Sequence, residues 1–290
     1  AFFDPNYEGD GLKIQEIIKR GPFAVKKNEV TAGCIIEKID GEAIKAGKDY
    51  NALLDGKAGK NVRLTIKNTK GKTFGLTIKA ISQGDQQELL YKRWVDRNRA
   101  IVDSVSKGRI AYVHVKAMNS ESFRTVYSEL LSDKNRNKDA VIVDERHNGG
   151  GWLHDDLCTL LSGKQYQEFV PHGKVVGKDP FNKWTKPSCV LICEDDYSNG
   201  HGFPWVYKEL GIGKLIGAPV AGTMTAVWWE TLMDRSLVFG IPQVGCRDMR
   251  GTFGENTTLQ PDIEVYNSPE DYITGHDTQL IRAVEEMMKK

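Results

Sequence analysis

The chain has 290 residues, enough for one large or two medium domains that each bury a core. Lys and Arg (40) nearly cancel Asp and Glu (39), and the formal charge of +1 argues against a dedicated nucleic-acid binder, which needs surplus cations to release counterions. With 40% hydrophobic and 27% charged residues the composition is that of a soluble globular protein, and apolar runs such as 140–143 and 189–193 are too short for a membrane span.

Residues 9–81 read as short strands separated by Gly-rich turns. A strand is expected after Gly11 and another over residues 33–39, ending at the hairpin dipeptide Asp40-Gly41. A short helix over 50–54 and strands over 61–67 and 73–79, flanking Lys70-Gly71, complete a compact β-rich unit. The order Gly11-Leu12-Lys13-Ile14, then Gly21-Pro22-Phe23-Ala24, then the run 32–41 resembles a PDZ domain of the bacterial protease type. The resemblance implies that the loop at Gly11 and Leu12 presents backbone amides to a peptide carboxylate. It also implies that the strand through Lys13 and Ile14 pairs with the peptide.

Residues 86–100 form a charged helical stretch with Leu89, Leu90, Trp94, Val95 and Ile101 on one stripe, a linker into a second domain. From Arg109 onward strands alternate with amphipathic helices. Strands are expected at 110–115, 140–144, 189–193 and 215–217, helices at 120–131, 154–161 and 203–210. A β-rich run over 231–244 and a last helix over 277–288 follow, and the alternation makes the architecture α/β. The expected domains are 1–82, a PDZ-like peptide-binding unit; 83–108, a linker helix; and 109–290, an α/β catalytic unit. The five cysteines, Cys34, Cys158, Cys189, Cys193 and Cys246, lack the paired spacing of a zinc site, and their odd number gives no disulfide framework. Neither metal nor cofactor is expected.

Two loops carry chemistry. Asp144-Glu145-Arg146-His147-Asn148-Gly149-Gly150-Gly151 follows an apolar strand, and its glycines let backbone amides approach a ligand closely. Such amides suit an oxyanion; a phosphate loop would continue with Lys-Ser or Lys-Thr, where Trp152-Leu153 stands. Ser198, in Asp195-Asp196-Tyr197-Ser198-Asn199-Gly200, lies between the next strand and a helix expected to enter at Phe203-Pro204-Trp205. There it either caps the helix or acts as a nucleophile whose negative charge the helix terminus favours.

The two loops together, with the segments 208–217, 219–223, 260–265 and 275–280, resemble the tricorn-type branch of the C-terminal-processing serine peptidases. Including the PDZ-like front, the resemblance spans essentially the whole chain. It implies a crotonase/ClpP-like catalytic fold, a peptide or protein substrate, and an acyl-enzyme on Ser198. The amides of Asn199 and of Gly149 or Gly150 stand where the family builds its oxyanion hole. Glu255 stands where a carboxylate orients the base through an intervening Ser. Lys-dependent members have a Lys where this chain has Thr223, so a Ser-Lys mechanism is excluded by residue type. In tricorn-like members the base is a His ahead of the PDZ domain. The opening Ala1-Phe2-Phe3-Asp4-Pro5 reads as the middle of a chain, so that His is expected upstream and this chain alone is expected to be nearly inactive. His201 and His154 are the bases to consider within it, and Trp152, Trp184, Trp205, Trp228 and Trp229 the aromatic candidates for a substrate cleft. The family occurs in cytoplasm and cell envelope, and a homo-oligomer is compatible with it. Two other readings compete: a non-catalytic PDZ-type peptide-binding module, and a crotonase-like acyl-CoA enzyme.

Overall fold

The computed structural model describes residues 1–24 and 30–289. It divides into two compact units, Ala1–Arg97 and Asn98–Lys290.

In the first unit β1 (Phe2–Phe3), β2 (Leu12–Glu16), β3 (Ile35–Ile39), β4 (Glu42–Ala43), β5 (Asn61–Lys67) and β6 (Thr73–Lys79) form one antiparallel sheet in the order β1-β2-β3-β5-β6, with β4 beside β3. The Asp40-Gly41 dipeptide closes β3 onto β4 with φ of 50° and 92°, the left-handed pair that a two-residue hairpin turn needs. Period-two alternation buries Val62, Leu64 and Ile66 of β5 against Ile14, Ile36 and Ile39. The short helix is 3₁₀, Asn51–Leu54.

The edge of β2 on which a peptide is expected to pair is occupied among the described residues. Phe3 pairs with Ile14 and Phe2 with Glu16, while Leu12 and Lys13 pair with β3, so β2 is an interior strand. The Gly11 amide donates to Ile44 O (3.0 Å) and the Lys13 ammonium pairs with Asp4 (3.1 Å). A peptide adding alongside residues 13–16 would first have to displace β1.

The second unit begins within α1 (Gln83–Val105) and continues β7 (Ile110–His114), α2 (Ser120–Leu130), α3 (Asp133–Arg136), β8 (Ala140–Asp144), α4 (His154–Leu161), β9 (Gln167–Phe169), β10 (Gly177–Asp179), β11 (Ser188–Ile192), α5 (Asn199–Glu209) and β12 (Lys214–Gly217). Then come β13 (Ala226–Thr231), β14 (Val238–Val244), β15 (Ile263–Glu264), α6 (Pro269–Thr274) and α7 (Thr278–Met288). Five strands make a parallel sheet in the order β15-β12-β11-β8-β7, and every residue of β7, β8 and β11 is buried, as expected of a sheet covered on both faces. Val113, Val143, Val190 and Ile192 share a face with side chains from α2, α4 and α5. The alternate residues, including Tyr112, Ile142 and Leu191, point to the opposite face, where α7 packs. β9 and β10 form a separate antiparallel hairpin, as do β13 and β14. Among the described residues no helix is long and apolar enough to cross a membrane.

Candidate active site

Because β8 and β11 are parallel neighbours, the loops that follow them leave the same edge of the sheet, where ligands of open α/β sheets gather. The first loop is anchored by charge. Arg146, 2% exposed, holds Asp144 through both Nε (2.9 Å) and Nη2 (2.7 Å), and reaches Asp277 (2.9 Å) and Gln279 (3.0 Å) at the start of α7. Burial pushes the Asp144 carboxyl up, but the guanidinium outweighs it and holds the group below its ordinary range. The Asp-x-Arg motif and the distant Asp-Thr-Gln segment are thus two halves of one clamp.

Asn148, fully buried, shapes the glycine run. Its Nδ2 donates to Val115 O (2.8 Å), its backbone amide to Asp196 Oδ1 (3.1 Å), and its Oδ1 accepts from the Gly150 amide (2.8 Å). The Gly150 amide is therefore engaged within the loop, which narrows the oxyanion expectation. Gly149 and Gly151 line the adjacent cavity, and Gly150 does not. Gly150 matters sterically: at φ +96° a Cβ there would lie 2.6 Å from Ser198 Cβ and 2.8 Å from Tyr197 O.

The second loop is pinned to the first. Asp196, also buried, accepts from the Cys193 amide (2.8 Å) as well as from Asn148, and Tyr197 N donates to Asn148 O (2.9 Å). Burial pushes the Asp196 carboxyl up to about 8 against the pull of those amides. Ser198 occupies the N-cap position of α5 at φ 56°, ψ −119°, a left-handed conformation costly for a residue with a Cβ, and its side chain makes no capping hydrogen bond. Its amide donates to Thr223 Oγ1 (2.9 Å). The residue that stands in place of a lysine base thus holds the serine's backbone. Helix α5 starts at Asn199, four residues earlier than expected, with Pro204 inside it. The side chain of Asn199 reaches across to α4: Oδ1 accepts from Leu153 N (2.7 Å) and His154 N (3.1 Å), supplying the cap that Leu153 cannot.

Ser198, Asn199, Gly149, Gly151, Thr223 and Glu255 line one cavity of about 580 Å³. Glu255 Oε2 accepts from Thr225 N (2.8 Å), and hydrogen bonding from Thr225, opposed by burial, holds its carboxyl below the ordinary range. The hairpin β13–β14 supplies another wall through Val227, Trp229 and Pro242. The tryptophans divide: Trp152 and Trp229 line the cavity, Trp184 is buried in the core, Trp205 packs partly buried against it, and Trp228 is exposed on the far side of β13.

Neither histidine considered as a base is hydrogen-bonded to Ser198 through its ring among the described residues. His201 is fully buried, its Nε2 faces Thr257 O (3.2 Å), and burial holds its pKa below the ordinary value. His154 Nδ1 accepts from Asn199 Nδ2 (2.9 Å).

Residues 109–265 match the family model described as Peptidase family S41, and residues 7–83 match the Tricorn protease PDZ domain. The chain belongs to peptidase family S41. Within it the chain is of the tricorn type: it is similar to the tricorn protease of Thermoplasma acidophilum (29% identity over 259 residues, 89% of this chain and 24% of that protein). It is also similar to a tricorn protease homolog of Saccharolobus solfataricus (28% over 289 residues, 98% of this chain and 26% of that protein). Among solved structures, the crystal structure of the tricorn protease superposes with a TM-score of 0.83 at 26% identity, covering 99% of this chain and 29% of that one. The chain thus spans about a quarter of the length of these curated relatives. The mixed fold, a β-rich unit before a parallel-sheet peptidase unit, is the S41 tricorn fold.

Sequence reasoning did not single out Asn148, Asp196, Thr223 or Gly151 as organisers of this S41 site. A signal existed for Asn148 and Asp196, polar residues in the loops that follow buried strands, but Asn148 bonds to Val115 and Asp196, 33 and 48 residues away.

Proposed function

We propose that this chain carries the nucleophile and the oxyanion-binding amides of a serine endopeptidase that works through an acyl-enzyme. Ser198 Oγ attacks the scissile carbonyl, its proton passing to a base, and the developing oxyanion is held by the amide of Asn199 and that of Gly149. The base is a histidine from a segment preceding residue 1, oriented from Glu255 through an intervening serine. The observation that carries this reading is the conformation of Ser198: strained, at a helix N-terminus, with its hydroxyl free of a capping role and beside a cavity. A serine needed only as a cap would relax to extended backbone and bond an amide of the first turn. The first unit captures peptide only where β1 yields its place on β2.

The test is labelling of Ser198 by a fluorophosphonate in this chain, in Ser198→Ala, and in the chain extended at its N-terminus. Labelling of the extended chain alone, abolished by Ser198→Ala, is the expected result. If the short chain labels equally, the base lies within it and His201→Ala and His154→Ala identify it. If neither labels, the nucleophile assignment fails and a peptide-binding module is the better account.

A further inference from the structure

On the same two loops, His147, Cys193 and Asp195 bring an imidazole, a thiol and a carboxylate together, with Nδ1, Sγ and a carboxylate oxygen all within 4.8 Å of one another. We propose that these three side chains form a binding site for a transition-metal ion of the zinc class. No spacing rule finds it, because His147 follows β8 and the other two follow β11.

The donor set decides the metal. A thiolate with an imidazole selects zinc-like ions over calcium or magnesium, which prefer all-oxygen cages. A tetrahedral ion with bonds of about 2.3 Å to sulfur and about 2.0–2.2 Å to nitrogen and oxygen sets ligand separations of roughly 3.4–3.6 Å. Cys193 Sγ lies 3.8 Å from His147 Nδ1, already close to that spacing. Asp195 is too near, 2.7 Å from the sulfur and 3.0 Å from the nitrogen, and must swing outward by less than about 1 Å. It has room to do so, since its side chain is 62% exposed and that of His147 48%. The same exposure provides an entry path and a water for the fourth position. Cys193, by contrast, is buried and held at the end of β11, so the sulfur is the fixed point of the tripod.

The alternative for these residues is a hydrogen-bonded chain with no ion, and the two differ spectroscopically. The reduced, metal-free 290-residue chain is titrated with Co²⁺ as the probe and then with Zn²⁺. The expected result is a thiolate-to-cobalt charge-transfer band with visible bands of tetrahedral intensity, saturating at one equivalent and erased by zinc. His147→Ala, a change at the surface, is expected to weaken cobalt binding beyond the roughly 10–100-fold that loss of an outer-shell partner costs. Cys193→Ser is expected to remove the charge-transfer band, while Cys246→Ser leaves it intact. A wild-type chain without the band overturns the proposal, as does a band that survives in both His147→Ala and Cys193→Ser. The readout is independent of peptide hydrolysis, so it stands or falls apart from the assignment of Ser198.

Discussion

The floor of the cavity and its hairpin wall are built on opposite terms. The floor is lined by Gly149, Gly151, Ser198 and Asn199, and in the loops that carry them Asn148, Arg146 and Asp196 are buried and hydrogen-bonded and tie two loops and the start of α7 into one polar network. On the wall, β13 and β14 pair only with each other among the described residues, and Trp228, Trp229, Val238, Phe239 and Val244 are all more than half exposed. A buried, saturated network is rigid because each broken bond leaves a polar group unsatisfied. A two-stranded hairpin without a core has no such penalty and can adapt. Under the proposed function, fixed geometry lies where charge would develop, and compliance where side chains of a substrate would be met.

Substitutions can sharpen or break this contrast. In the N-terminally extended enzyme, Ser198→Ala is expected to abolish fluorophosphonate labelling altogether. Gly150→Ala is expected to slow labelling on the order of 10²-fold, since a Cβ at 2.6 Å from Ser198 Cβ must shift the nucleophile. Arg146→Met, which strands Asp144 and Asp277, is expected to lower stability in urea by about 3–5 kcal/mol.

Glu145 gives a pH-dependent test. It is fully buried, neither carboxylate oxygen has a partner among the described residues, and burial, with Asp196 and Asp144 adding, pushes its pKa well above the ordinary value. Below the unfolded pKa the group is neutral in both states and its cost, that of a buried carboxyl without a partner, does not vary with pH. As pH rises above that value only the unfolded chain ionises, so stability falls by up to about 1.4 kcal/mol per pH unit until the folded pKa is reached. Glu145→Met is therefore expected to raise urea stability by more at pH 8 than at pH 4, and the two proteins are expected to differ by an amount that is constant below about pH 4. The smallest stability effect belongs to the wall: Trp229→Ala should change it by no more than about 0.5 kcal/mol while raising KM for peptides in the extended enzyme. A loss of several kcal/mol there would show the hairpin to be part of the core and end the contrast.

The elements legible in the sequence were those whose burial pattern is self-contained. β5 and β6 appear over 61–67 and 73–79 as the alternation requires, and β8 and α4 match residue for residue. Helix α5 was misplaced because Pro204 reads as a first-turn proline, whereas the helix tolerates it at its sixth position. The pairing of β1 with β2 was unreadable, since Phe2 and Phe3 are too few for a period. At the site, strand-to-turn transitions marked the Ser198 and glycine loops, but spacing left Ser198 as cap or nucleophile, and its expected role came from the family resemblance. The choice among their amides was not legible, because it depends on one Asn148 oxygen engaging the Gly150 amide.

The Asn199 side chain, which caps α4 from the first turn of α5, makes two helices share one terminus. The amides of Leu153 and His154 can then meet solvent only when the start of α5 releases them. In hydrogen exchange, both should open with the nucleophile turn as one cooperative unit, and the glycine loop between them and β8 would inherit the lifetime of that unit.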